Sequence, residues 1–143
     1  LELAKARGVA DDPILRQELM RLHTLAEVAR YSNLRLKAAK AAGQDIPGLP
    51  NISKLSMSRM MRLIRDLGPA ILGPAGQLLG KDAPLGGMIA ETALFAPAVS
   101  IYGGSDQVQM NILGERVLGL PSEPRTDKTL PFNELATSRK SSG

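Results

Sequence analysis

Ile101 to Pro121, IYGGSDQVQMNILGERVLGLP, is the stretch whose residue types and spacing could do chemistry. Gly103 and Gly104 supply the backbone freedom that a sharp reversal needs. Ser105 is suited to cap the helix that follows, and Asp106 places a negative charge in its first turn, where the helix dipole favours it. Val108, Ile112 and Leu113 are predicted to form the apolar stripe of this helix, with Gly119 and Pro121 as its stop. A helix start preceded by two glycines lets a ligand approach free backbone N–H groups closely, which suits a phosphate. The same string also serves as an ordinary turn and cap, and residue types alone leave both readings open.

The remaining polar residues suggest no reaction. His23 is the only histidine and lies in a long helical pattern without a serine or cysteine partner, so it reads as a helix-surface residue. One histidine and no cysteine cannot make a typical zinc set, and the absence of cysteine also excludes disulfides. Glu18, Glu27, Glu91 and Glu115 are scattered and form no acid/base pair. Met57, Met60 and Met61 read as core filler.

The elements that must position the turn are helical. Aromatic residues make up only 3% of a chain that is 43% hydrophobic, so the core must be Leu, Ile, Val, Met and Ala, a palette that favours helices. Leu1 to Arg7 reads as the end of a helix stopped by Gly8. Asp12 and Pro13 predict a cap and first position for a helix running to about Ala42, with Leu15, Leu19, Leu22, Ala26 and Ala29 on one face. Gln44 to Pro50 is a linker. A second helix is predicted from Asn51 or Ser53, with Lys54, Arg62 and Arg65 opposite its apolar arc and Pro69 breaking or kinking it, although Ala70 to Leu72 could add another turn. Asp82 and Pro84 are expected to start a third helix that Pro97 ends. Residues 1–121 thus read as a helical bundle domain, and residues 122–143 as an extended arm and mobile tail, with Leu130, Phe132 and Leu135 able to pin it. The net charge of +4 permits a polyanionic partner, but the basic residues form no block and lack interleaved aromatics, which argues against nucleic acid. The uncharged runs are too short to span a bilayer, and the chain is expected to be cytoplasmic. Leu1 falls within a helical pattern, so the chain reads as part of a larger protein.

Tyr102, Gly103, Gly104, Ser105, then Gln107, Val108, Gln109, then Gly114 to Pro121 closely resemble the last core helix of the acyl-CoA dehydrogenase family. There a Tyr-x-Gly-Thr/Ser turn leads into Glu/Gln-Ile/Val-Gln and, in many bacterial members, Gly-Glu-Arg-Val-Leu-Gly-Leu-Pro. A looser likeness covers Asp12 to Gly80. The resemblance implies an all-α fold, part of the antiparallel helix bundle of the family's C-terminal domain. It implies FAD as cofactor, an acyl-CoA thioester as substrate of the full enzyme, and α,β-dehydrogenation in lipid metabolism. By the same resemblance Ser105 and Gln107 contact the flavin, while Gly103 and Gly104 shape the turn.

The sequence departs from that pattern in four places. Many members carry the catalytic Glu directly after the Tyr of the turn, where this chain has Gly103; others carry it on an earlier helix that these residues do not include. Ala70 stands in the place of a usual Gln before the glycine-rich segment Gly73 to Gly76, Leu94 replaces a usual Arg, and no Arg-x-x-Phe-Gly segment is present. No catalytic residue is therefore assigned, and the chain is expected to be inactive alone. A partial bundle exposes an apolar stripe, so a homo- or hetero-oligomer is expected. The alternative is a non-catalytic helical interaction or partner subunit that has lost the base.

Overall fold

The computed structural model describes residues 1–122. Among these residues all regular structure is helical: α1 (Glu2–Ala6), α2 (Pro13–Ala41), α3 (Leu49–Leu72), α4 (Met88–Val99) and α5 (Asp106–Arg116), with short 3-10 turns at Gly73–Gln77 and Pro84–Gly87. The expected all-α bundle is what forms. The arm expected over residues 122–143, including Leu130, Phe132 and Leu135, lies outside the described residues beyond 122.

The start of α2 follows the expected chemistry. Asp12 accepts through one carboxylate oxygen from the N–H groups of Ile14 and Leu15, both at 2.9 Å, while Pro13 sits at the first helical position. The 29 residues of α2 span about 44 Å at 1.5 Å per residue. This helix packs along α3, and its far side is open: Ile14, Val28, Tyr31 and Leu34 are exposed. His23 is exposed as well, as a surface histidine should be.

α3 is the hub, packing against α1, α2, α4 and α5. It differs from the sequence expectation at its start. It begins at Leu49, because Gly48 takes a left-handed conformation (φ 80°) as N-cap and Pro50 fits the first turn. At the other end it continues through Pro69 to Leu72, adding the further turn over Ala70 to Leu72. A proline there removes one backbone donor, but stopping the helix would expose Ile71 and Leu72, which are buried beside Leu67. The guanidinium of Arg7 donates to the Leu72 carbonyl at 3.2 Å and so satisfies one of the orphan acceptors at that end.

α4 starts later than Pro84. Leu85 (φ 54°), Gly86 (φ 65°) and Gly87 (φ 86°) all adopt left-handed backbone, which no right-handed helix can contain, so α4 begins at Met88. Pro97 then lies inside the last turn of α4, which ends at Val99. Ala90, Ala96 and Val99 form its buried face. α4 approaches α3 closely at Gly68, where a Cβ would sit 2.7 Å from Ile89 Cγ2.

Candidate functional site

The polypeptide leaves α4 at Ser100, reverses through Ile101–Gly104 and enters α5 at Asp106. Gly103 (φ 65°) and Gly104 (φ 86°) are both left-handed, the conformation for which the sequence supplied two glycines. Ser105 is the N-cap, its hydroxyl accepting from the Val108 N–H at 3.3 Å. Asp106 N–H donates to the Ser100 carbonyl at 3.1 Å, closing the loop onto the end of α4. The tip itself stays open. Tyr102, Gly103, Gly104 and Gln107 are exposed, Ser105 is half-buried, and Tyr102 leans on Phe95 with ring centroids 6.1 Å apart.

The apolar stripe expected from Val108, Ile112 and Leu113 turns inward only in part: Ile112 and Leu113 are half-buried, with Leu113 against Gly48. Val108 is exposed, and the two residues of α5 that bury are Asp106 (8% exposed) and Gln109 (9% exposed). Both face α3, which meets them with a polar row of Asn51, Lys54, Ser58 and Arg62 at helical spacing. Asp106 Oδ1 accepts from Lys54 Nζ at 2.8 Å and from Ser58 Oγ at 2.7 Å, and its Oδ2 accepts from Arg62 Nη1 at 3.0 Å. Arg62 Nη1 also donates to Ser100 Oγ at 2.7 Å, which ties the loop to α3 a second time. Lys54 and Arg62, expected opposite the apolar arc of α3, reach across to α5, because Asp106 would otherwise be a buried, unpaired charge. Burial alone would raise the carboxyl's pKa, but hydrogen bonds from Lys54, Ser58 and Arg62 outweigh it and hold the group well below the ordinary carboxylate range.

Gln109 works from the other side of the turn. Its Nε2 donates to the Gly103 carbonyl at 2.9 Å, and its Oε1 accepts from Asn51 Nδ2 at 2.6 Å. The turn is therefore held from within by polar contacts to α3, while Ser105 and Gln107 lie at its outer surface. Sequence reasoning read Asp106 only as a dipole partner and Gln109 only as part of a motif. The available clue was the match between Asp106/Gln109, three apart, and Asn51/Lys54/Ser58/Arg62, spaced by single helical turns.

Free donors ring the outer surface. Among the described residues the N–H groups of Gly103, Gly104, Ser105 and Gln107 meet no protein acceptor, and the Gln107 side chain is likewise without a partner. Lys54 and Arg62 together outnumber the charge of Asp106, so the buttress adds net positive charge behind a helix N-terminus. Such a tip suits an anionic or carbonyl-rich ligand. It offers no general base, since Gly103 has no side chain and the Asp106 carboxylate is locked among its donors. Glu91 is exposed on α4. The described residues contain no cluster of His, Cys, Asp and Glu able to hold a metal, and no helix among them is long and apolar enough to cross a membrane.

Residues 2–118 match the family model for the acyl-CoA dehydrogenase C-terminal domain. The chain is 37% identical over 126 residues to acyl-CoA dehydrogenase IpdE1 of Mycolicibacterium smegmatis, a match covering 86% of this chain and 30% of the relative. It is 36% identical over 125 residues to acyl-CoA dehydrogenase IpdE1 of Mycobacterium tuberculosis, covering 87% of this chain and 31% of that protein. The chain thus spans about a third of the length of these curated relatives. Among solved structures, the Tcur3481–Tcur3483 steroid ACAD superposes with a TM-score of 0.73 at 24% identity, over 84% of this chain and 32% of that one. The ChsE4–ChsE5 complex from Mycobacterium tuberculosis does so with a TM-score of 0.63 at 26% identity, over 79% and 30%.

Proposed function

Because this chain belongs to the acyl-CoA dehydrogenase family, whose C-terminal domain it matches, we propose that its Tyr102–Gln107 segment forms one wall of an FAD site in the full-length parent protein. The observation that carries the reading is the exposed tip of α5, where unpartnered amides, the Ser105 hydroxyl and the Gln107 side chain converge over a positively charged buttress. FAD, when bound, supplies the hydride acceptor for α,β-dehydrogenation of an acyl-CoA thioester. The residues here bind and orient: Ser105 keeps a hydroxyl proton to donate while its oxygen caps α5, and Gln107 offers both an amide donor and an acceptor.

Proton removal from the substrate is assigned elsewhere in the parent. Gly103 occupies the family's base position, and Asp106 is too strongly stabilised as a carboxylate to abstract a proton efficiently. The fragment is accordingly inactive alone. The exposed apolar side of α2, with Ile14, Val28, Tyr31 and Leu34, supports an oligomer, and a heteromeric one is in keeping with the ChsE4–ChsE5 complex. Light scattering should then report an assembly larger than a monomer. Gly103 also favours a second reading, a non-catalytic partner subunit that keeps the bundle without the chemistry.

The test is a flavin spectrum of the purified parent, alone and with any chain that copurifies, followed by Ser105→Ala with Gln107→Ala. Loss of two ligand hydrogen bonds should weaken FAD binding by roughly ten- to a hundredfold. A colourless protein that FAD cannot reconstitute favours the partner-subunit reading. A coloured parent whose affinity ignores the double substitution removes these two residues from the site.

A further inference from the structure

Gln109 is a buried amide that caps nothing and, in the reading above, touches no ligand. Its side chain instead occupies the inside of the glycine turn. Nε2 donates to the Gly103 carbonyl at 2.9 Å, Oε1 is anchored by Asn51 Nδ2 at 2.6 Å, and the backbone N–H donates to the Ser105 carbonyl at 2.9 Å. The fit is close: a Cβ on Gly104 would lie 2.8 Å from Nε2. In a trans peptide the C=O and the following N–H point in opposite directions. With the Gly103 carbonyl drawn inward to Gln109, the Gly104 N–H faces outward, and it meets no acceptor among the described residues. Without that inward pull, two left-handed glycines permit the peptide between them to rotate, which would turn a carbonyl rather than an N–H toward the ligand.

We propose that Gln109 is a positioning residue that holds the Gly103–Gly104 peptide so that the Gly104 N–H serves as a ligand donor beside Ser105. The proposal rests on the flavin reading, and the ligand probed is FAD itself. It acquires a testable signature from the chemistry of the side chain. Gln109→Glu keeps the acceptor for Asn51 but sets a carboxylate against the Gly103 carbonyl, two acceptors with no proton between them. Protonating that carboxyl restores a donor. Gln109→Met keeps the bulk and removes both hydrogen bonds at every pH.

The experiment measures FAD dissociation constants by flavin fluorescence in the full-length parent, with any copurifying chain, from pH 7.5 down to about 5. Wild type, Gln109→Glu and Gln109→Met are compared, with thermal midpoints taken on the same samples. Of the charged groups on the packed elements, Lys54 and Arg62 on α3 and Asp106 on α5 are bound to one another, Arg65 pairs with Asp66, and Arg59, Glu115 and Arg116 bond to neither Gln109 nor Gly103. Gln109→Met carries no new carboxyl, so a change with pH seen in Gln109→Glu alone belongs to the introduced group. Both variants should bind FAD about tenfold more weakly at pH 7.5, and only the Gln109→Glu gap should close toward acid. Equal losses in both at every pH, accompanied by lower midpoints, make Gln109 a folding residue and overturn the proposal. Unchanged affinity in either folded variant also overturns it. Should Gln109→Glu fail to fold, Gln109→Met decides: weaker FAD binding at a wild-type midpoint supports the proposal, and wild-type binding refutes it. A wild-type parent that takes up no FAD refutes the flavin reading and this proposal together, whereas FAD-binding wild type with unaffected variants refutes the proposal alone.

Discussion

Replacing Asp106 with Asn should be the most damaging isosteric change in the described residues, and its cost can be assembled from the contacts. The carboxylate accepts three side-chain hydrogen bonds, two of them from cations. Lys54 is the more sheltered cation, with 17% of its side chain exposed, whereas Arg62 keeps 41%. Breaking a fully buried pair costs about 3–5 kcal/mol, but an exposed one costs under about 1. Lys54 therefore sets the scale and Arg62 adds little. Asn retains an acceptor for Ser58, so we expect a loss of about 2–4 kcal/mol. Urea unfolding followed by helical circular dichroism measures it. The pH dependence has a definite sign. Asp106 is depressed in the folded state, so on unfolding it takes up a proton wherever the pH lies below its ordinary value of about 4. Its contribution is then complete above that value and shrinks as the pH falls toward the folded-state pKa. The stability gap between wild type and Asp106→Asn should be flat from about pH 7.5 to 5 and should narrow below about pH 4. A gap under about 0.5 kcal/mol at neutral pH, or one that widens in acid, would show that the Lys54–Asp106–Arg62 cluster does not anchor α5.

Gly48→Ala should destabilise the protein by about 1–3 kcal/mol, because φ is 80° and the new Cβ would meet Leu113 Cδ2 and Val117 Cγ2 at 2.8 Å; a wild-type unfolding midpoint would contradict that packing. Asp12→Ala removes both N-cap hydrogen bonds of α2 and should cost about 1 kcal/mol. Asp12→Ser should recover most of it, and an Ala variant as stable as Ser would show that the cap contributes nothing.

What could be read from the sequence depended on how local its cause was. The caps at Asp12 and Ser105 and the paired glycines at 103 and 104 are local chemistry, and each sits where residue type placed it. Pro69 left open whether α3 stops or goes on, and the burial of Ile71 and Leu72 decides it; Pro97 does not end α4, because its local cost is outweighed by the burial of Val99. The buried side of α5 was missed for a different reason. Periodicity searches for apolar residues, and this helix packs through an aspartate and a glutamine whose complements lie on α3, more than forty residues away in sequence. The flavin role proposed for Ser105 and Gln107 rests on the family motif rather than on residue type. Their supports, Asp106 and Gln109, needed the fold.

One consequence follows from α3 being the partner shared by α1, α2, α4 and α5. Loosening of α2 or α5 need not disturb the other, whereas any rupture of α3 releases both at once. Amide protons in the middle of α3 should therefore be the slowest to trade with deuterium, and those on the open flank of α2 should trade through a cheaper, separate opening. The glycine turn inherits its persistence from the slow element through four side chains, so its shape should outlast the peeling of its neighbours.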